Sequence, residues 1–185
     1  MPHERTAPPN PSAPSNLSAA ASAPLPAAGS THGRFVAFTA IGGVVAAAAA
    51  FASESLSLEP WAMFAGWVAW FTRPQSLTQG VHAVVCLWLG LVLAVLGRLS
   101  VEALVPTAGH AALPLTVFVL AVVVVGLRTA PVVNNMLAWF LGLIAFFAAH
   151  PEEIPTGLLE LVAATAIGAI AGFLCQRLQR RFAPA

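Results

Sequence analysis

The sequence predicts an all-α membrane protein, a polytopic helical bundle whose six transmembrane segments form two inverted three-helix repeats. Of the 185 residues, 58% are hydrophobic and only 8% are charged, whereas about 25% of the residues in a soluble domain are charged. Several long apolar runs follow one another along the chain, and one aromatic–glycine phrase occurs twice, as FAGWVAWF and FLGLIAFF. Because this small number of charges cannot cover a water-facing surface, we expect helices that pack in lipid.

The chain opens with residues 1–33, which are rich in Pro, Ala and Ser and show no apolar periodicity. This composition predicts a disordered cytoplasmic tail ahead of a transmembrane domain at residues 34–180. A cleaved signal peptide is not expected, because no apolar stretch follows Arg5 until Phe35. The first membrane segment is therefore expected to act as an uncleaved anchor.

Six apolar segments follow the tail. Four have lengths near the ~20 residues that a spanning helix needs, and a fifth is close. The second segment is the exception, because a dozen residues at 1.5 Å each extend only about 18–20 Å. A short span and a re-entrant half-helix both remain open for it, although Pro60 suits a helix start. The segments cover residues 35–52, 60–71, 81–97, 111–127, 132–149 and 157–175.

The arginines favour six crossings, because cytoplasmic loops retain Lys and Arg. With six crossings and the N-terminus inside, only Arg98 lies outside, and both termini are cytoplasmic. If the second and fifth segments only dip into the membrane, Arg73 and Arg128 also move outside and the asymmetry weakens. The arginines placed inside by six crossings are Arg34, Arg73, Arg128, Arg177, Arg180 and Arg181.

The repeated phrase divides the membrane domain into two units, residues 34–98 and 110–180. Gly66 aligns with Gly142, and the flanking aromatic residues align with them. A three-span unit followed by its own copy must place that copy upside down. Inverted repeats bring equivalent helices together near the midplane, where transporters and channels often hold their site. The alternative is chance recurrence of residues that are abundant in membrane helices.

The motif itself allows two interpretations. Gly66 and Gly142 remove side chains where a permeant or another backbone could approach, and the aromatics at i and i+7 share a helix face. A narrow aromatic slot across the membrane is one interpretation; tight packing through small residues is the other, and the motif alone favours packing. Gly168-x-x-x-Gly172 indicates a further helix contact. The candidate motif residues are Phe64, Gly66, Trp67, Phe71, Phe140, Gly142 and Phe147.

Polar residues near the apolar segments are few, so each is a candidate. Glu160 lies one turn into the sixth segment, as either a proton- or cation-linked group or an interfacial carboxylate near a helix N-terminus. His82 in the third segment is interpreted mainly as interfacial and structural. Asn134 and Asn135 open the fifth segment and are expected to cap it, with amides facing a permeant as the alternative.

No catalytic pattern is present: the sequence has no HExxH, no GxSxG and no Cys/His cluster. Cys86 and Cys175 lack CxxC spacing and are expected to pack as small buried residues. We therefore expect no enzyme activity, no cofactor and no metal. The expected partners are the lipid bilayer, further copies of the chain and a small uncharged solute, with no role for nucleic acid.

The stretches WAMFAGWVAWF and NNMLAWFLGLIAFF resemble the bacterial inner-membrane family catalogued as domain of unknown function 1097 (DUF1097). The resemblance covers about residues 34–180 and implies a multi-span protein of the bacterial cytoplasmic (inner) membrane, with no established activity. The residues that carry it are Trp61, Phe64, Gly66, Trp67, Phe140, Gly142 and Phe146.

Two functional hypotheses follow from the sequence. The first is a small-solute channel or transporter, because a repeat with glycines and aromatic residues at its presumed midplane is typical of transport folds. The second is a structural or accessory subunit of a larger membrane complex, favoured by small-residue helix faces and by the lack of a polar pathway.

Overall fold

The computed structural model describes residues 28–73 and 76–182, and this part of the chain folds into α-helices without a β-strand. The fold class is therefore all-α, as predicted. Short 3₁₀ turns at Gly109–Ala111 and Leu127–Thr129 flank the fourth helix. The six helices of the described chain are α1 (Ala28–Ser55), α2 (Pro60–Phe71), α3 (Leu77–Ala108), α4 (Ala112–Gly126), α5 (Met136–Ala149) and α6 (Ile154–Phe182).

The helix bounds differ from the predicted segments mainly where polar residues extend a helix. The second predicted segment, 60–71, coincides with α2. The helix α3 continues past the predicted end at residue 97, because the guanidinium of Arg98 pairs with the Glu102 carboxylate one turn later, at 3.0 Å. The helix α1 begins at Ala28, before the predicted boundary at residue 34, and residues 1–27 of the predicted tail lie outside the described residues.

Three helical stretches of the described chain are long and apolar enough to cross a membrane: His32–Ser55, Leu77–Thr129 and Ile154–Phe182. Such helices characterise a membrane protein. The second stretch folds back on itself at Gly109, whose φ of 53° is readily adopted only by a residue without a side chain. As a result the Leu120 side chain of α4 packs against Gly97 of α3.

Successive helices run in alternate directions between two ends of the bundle. We call one end the arginine end, since Arg34, Arg73, Arg128 and Arg177 lie near it, and the other the glutamate end, which carries Glu54, Glu59, Glu102, Glu152 and Glu160. At the arginine end the Gln179 amide of α6 donates to the Phe38 carbonyl of α1, at 3.1 Å. At the glutamate end, the starts of α2 and α6 and the end of α5 line one cavity.

The core lies between four central helices. The helix α2 packs most closely on α6, and α3 packs most closely on α5, while α1 and α4 cover the flanks of α6 and α3. Buried apolar side chains such as Leu87, Leu91 and Phe146 fill the centre. The outer helix α4 presents Leu115, Phe118 and other large apolar residues on the surface. An apolar exterior of this kind suits lipid rather than water.

Candidate functional site

The two helices that carry the repeated motif lie side by side and antiparallel. Trp61 at the start of α2 and Ala148 at the end of α5 line the same cavity at the glutamate end. At the arginine end, the Asn135 amide at the start of α5 donates to the Thr72 hydroxyl just after α2, at 2.6 Å. The repeated phrase therefore marks two neighbouring helices of opposite direction.

The motif glycine of α2 allows a close crossing with α6. A Cβ placed on Gly66 would overlap the carbonyl oxygen of Thr165, and one placed on Gly168 would overlap the carbonyl oxygen of Met63. Each helix therefore presses a glycine against the backbone of the other. We call this contact the α2–α6 crossing.

The motif glycine of α5 makes a matching contact with α3. A Cβ on Gly142 would overlap the carbonyl oxygen of Leu87, and one on Gly90 would overlap the carbonyl oxygen of Trp139 and lie 3.2 Å from the Cα of Gly142. We call this contact the α3–α5 crossing. It repeats the α2–α6 crossing residue for residue.

The correspondence between the crossings follows the sequence offsets of the two units. Gly66 precedes Gly142 by 76 positions, and Met63 precedes Trp139 by the same number. On the partner helices, Gly90 precedes Gly168 by 78 positions, as Leu87 precedes Thr165. Both motif glycines thus serve helix packing, which is the interpretation that the motif favoured.

Phe64 and Phe71 of the α2 motif point away from the α2–α6 crossing. Phe64 and Phe71 are 43% and 37% exposed on the outside of α2, and the rings of Trp67 and Phe71 lie 6.1 Å apart. At 100° per residue, positions two before and five after a glycine lie about 140–160° around the helix from it. Phe64 and Phe71 therefore lie outside the α2–α6 crossing, and the interpretation of an aromatic slot across the membrane stays a prediction.

The equivalent aromatic residues of α5 lie against α4. Phe140 and Phe147 are half-buried and border an apolar groove of about 410 Å³ between α4 and α5. They differ in exposure from their α2 counterparts because α4 covers this side of α5, whereas nothing in the described chain covers the outer side of α2. They too lie outside the gap between the motif helices.

A polar cluster joins the helix ends at the arginine end. Asn135 caps α5, as predicted, because its side-chain oxygen accepts a hydrogen bond from the Ala138 N–H at 3.3 Å. The Arg73 guanidinium donates to the Asn134 side-chain oxygen and, at 3.0 Å, to the Gln79 amide oxygen. These bonds tie the loop after α2 to the loop before α5, and they occupy both asparagines.

The glutamate end holds a cavity of about 350 Å³ between α2, α5 and α6. Ser57, Glu59 and Glu160 line it together with apolar side chains. Among the described residues, neither cavity carboxylate forms a salt bridge with an arginine, and the Arg98–Glu102 pair lies outside the cavity lining. Two carboxylates on one concave wall produce a negative potential. The cavity wall therefore presents two carboxylates, and the Arg98 guanidinium donates to the carbonyl of Pro151 at its edge.

Apolar packing separates this cavity from the polar cluster. Ala69, Ala145 and Phe146 are each about 1% exposed or less, and they belong to one continuous core. The Trp88 indole N–H donates to the Thr165 hydroxyl at 3.1 Å within this region, and the same hydroxyl donates to the Leu161 carbonyl at 2.7 Å. The two polar groups therefore satisfy each other and leave no polar lining between the ends.

Some site residues are not brought together. His82 is half-buried on α3 near the arginine end, whereas Glu160 lies at the glutamate end. Sequence reasoning missed Glu59 and the Trp88–Thr165 pair. For Thr165 a signal existed, because it lies three residues before Gly168 and so shares the helix face that makes the crossing. For Trp88 no comparable signal is present.

The described residues contain no group of three His, Cys, Asp or Glu side chains that could hold a metal ion. In the comparison with protein families, a family model described as "Protein of unknown function (DUF1097)" matches residues 40–179. The match covers both crossings and both motif helices. Comparison with the curated proteins and with the solved structures gives no match.

Proposed function

Because the chain belongs to the DUF1097 family, whose description assigns no activity, we propose from its geometry that it is a channel or transporter for a small uncharged solute. The observation that carries the proposal is the pair of matching glycine crossings, which join α2 to α6 and α3 to α5. Such pairs are expected where two inverted repeats meet around a transport site.

The proposal includes the six-span inverted repeat, with units at residues 34–98 and 110–180. Three features support it: the residue-for-residue match of the crossings, the antiparallel motif helices, and the grouping of the described arginines at one end, with Arg98 as the exception at the other. The short helices α2 and α5 extend about 18 Å and 21 Å. Polar groups at both ends of the α2–α5 pair shorten the apolar distance that these helices must cover.

The proposed site lies between the motif helices, with an entrance at the glutamate-end cavity. Glu59 and Glu160 repel anions there, and the apolar core beyond them penalises any ion that loses its water. The free-energy cost of entry is therefore lowest for a small uncharged solute. Because the core is closed, passage requires the α2–α6 pair to move against the α3–α5 pair, and the glycine crossings let each pair move as a unit.

Flux into proteoliposomes tests the transport proposal. Purified protein should raise the permeability of liposomes to small neutral solutes such as urea or glycerol above that of empty liposomes. Glu160→Gln should leave neutral-solute flux nearly unchanged but raise the leak of small anions. If no solute or ion in a broad panel passes faster than through empty liposomes, the transport proposal fails.

Cysteine labelling tests the six crossings separately. In a Cys86→Ala/Cys175→Ala background, a single cysteine replaces each of five exposed connection residues in turn. With six crossings, an impermeant thiol reagent applied to intact cells labels the three at the glutamate end, and labels the other two only after permeabilisation. Labelling of the cysteine at position 76 in intact cells would instead show that α2 is re-entrant. The five positions are Ser57, Ser76, His110, Thr129 and Glu152.

The proposed setting is the bacterial cytoplasmic membrane, with both termini in the cytoplasm. The arginine end would then face the cytoplasm, in accordance with the excess of basic residues in cytoplasmic loops. We also propose that the chain acts without enzymatic chemistry or a cofactor, and that it assembles as a homo-oligomer in the lipid bilayer. Reporter fusions at each terminus would check the orientation.

A second candidate function, an accessory subunit of a larger membrane complex, is favoured by the exposed apolar flank of α4. Val117, Phe118 and Val122 are all more than half exposed there. Affinity purification in mild detergent separates the two candidates. A stoichiometric protein partner supports the accessory role, whereas a lone homo-oligomer supports transport.

A further inference from the structure

An apolar groove of about 310 Å³ opens on the surface of the bundle between α3 and α6. Trp70 of α2 closes its base, and its ring meets the Phe173 ring edge-on, with centroids 5.5 Å apart. The Trp88 indole N–H at the inner end is already bonded to Thr165. The groove therefore offers a ligand no polar partner along its length.

The groove has the depth of one membrane leaflet. Its α3 wall runs from Leu77 to Trp88 and its α6 wall from Ala166 to Phe173, one turn short of Arg177. Eleven residues at 1.5 Å each give about 16 Å along the α3 wall, and the shorter α6 wall extends about 10 Å; half of a hydrocarbon core is about 15 Å. An extended acyl chain matches this length and this apolar surface.

A cation stands at the mouth of the groove, one turn beyond Phe173. The Arg177 guanidinium lies over the Phe173 ring, 5.0 Å from its centroid, and Arg177 is exposed. Stacking through the face leaves the N–H edges available for a phosphate oxygen. By contrast, the guanidiniums of Arg73 and Arg98 already donate to protein oxygens in the described structure.

From these observations we propose that the groove is a binding site for one anionic phospholipid. An acyl chain lies along Val81, Val85 and Ile170, and the phosphate meets Arg177. The site lies outside the gap between the motif helices, so it is independent of any solute path. A groove of matched length with a cation at its interfacial end is complementary to a lipid in both shape and charge.

Native mass spectrometry tests the proposal with phosphatidylglycerol and phosphatidylcholine of identical acyl chains. Wild-type protein should retain phosphatidylglycerol preferentially. Arg177→Gln should reduce that preference by about fivefold, the effect of one basic residue near an anionic surface. The matched control is Arg128→Gln, since Arg128 is exposed at the same end and does not border the groove. It should leave the preference unchanged.

A second pair of variants tests the acyl chain contact. Ala166→Leu places bulk inside the groove and should lower retention of both lipids, whereas Ala163→Leu, on an exposed face of α6 outside the groove, should not. An unchanged lipid preference in Arg177→Gln overturns the proposal. So does Ala166→Leu altering the oligomeric mass without altering lipid retention, because the groove would then hold a second copy of the chain.

Discussion

The α2–α6 and α3–α5 crossings share a backbone arrangement but differ in the side chains around it. In both, a motif glycine and a partner glycine press against carbonyl oxygens of the facing helix. At the facing position, however, one crossing has Thr165, which bonds Trp88, and the other has the apolar Leu87. The comparison shows that the spacing of the glycines sets how closely the two helices approach, while the side chains around the glycines differ between the two crossings.

The largest expected effect comes from filling either crossing. Gly66→Ala and Gly142→Ala each force a methyl group into a facing backbone, which cannot move aside as a flexible side chain could. Overpacking of this kind costs about 1–3 kcal/mol. We expect both variants to lower the free energy of unfolding in lipid or detergent by similar amounts.

The control for this prediction is Gly43→Ala, because Gly43 lies within α1 and has no neighbouring atom within 4 Å of an added Cβ. It should be neutral or slightly stabilising. If only one of Gly66→Ala and Gly142→Ala strongly lowered the free energy of unfolding, the two crossings would not be equivalent.

The next largest effect concerns the starts of the two motif helices. Asn135 caps α5 and also bonds Thr72, whereas Glu59 precedes α2 without a side-chain cap. Replacing a capping Asn by Ala costs about 1 kcal/mol. Asn135→Ala should therefore lower the free energy of unfolding, and Glu59→Ala should change it little. Equal losses from both variants would show that the two helix starts are held in the same way.

The smallest effect isolates the hydrogen bond that joins Thr165, at the α2–α6 crossing, to Trp88 of α3. Thr165→Val keeps the shape of the side chain but removes the acceptor for the Trp88 N–H. Hydrogen bonds between membrane helices contribute about 0.6 kcal/mol on average. The same loss is expected from Trp88→Phe, and the double variant should cost no more than either single one. If the losses of unfolding free energy in the two single variants added up in the double variant, the two residues would act independently.

Much of the fold could be predicted because membrane helices leave a strong local signal. The apolar run of α2 gave its bounds, and the repeated phrase marked Gly66 and Gly142 as residues at close approach. The partner of each glycine could not be predicted, because a glycine face does not specify which distant helix fills it. The exposure of the aromatic positions could not be predicted for a related reason: lipid accepts Phe64 on an outer surface as readily as a core does.

The polar ends were harder to predict than the crossings. Arg73 and Asn134 lie 61 residues apart and meet through loops, where no periodicity guides inference. The asparagine cap itself was predictable, since it depends only on the local start of α5. Glu59 directly precedes Pro60 in the sequence, and its place on the wall of a shared cavity became visible only once α6 was packed beside α2.

The brevity of α2 has a consequence for the surrounding bilayer. With about 18 Å between Glu59 and Thr72, the outer face of this helix is far thinner than a hydrocarbon layer of ~30 Å. In the proposed six-span arrangement, lipids beside Phe64 and Phe71 compress or tilt, and each ångström of such mismatch costs a fraction of a kcal/mol. We therefore expect short-chain lipids to gather along this flank and long-chain lipids to be driven from it.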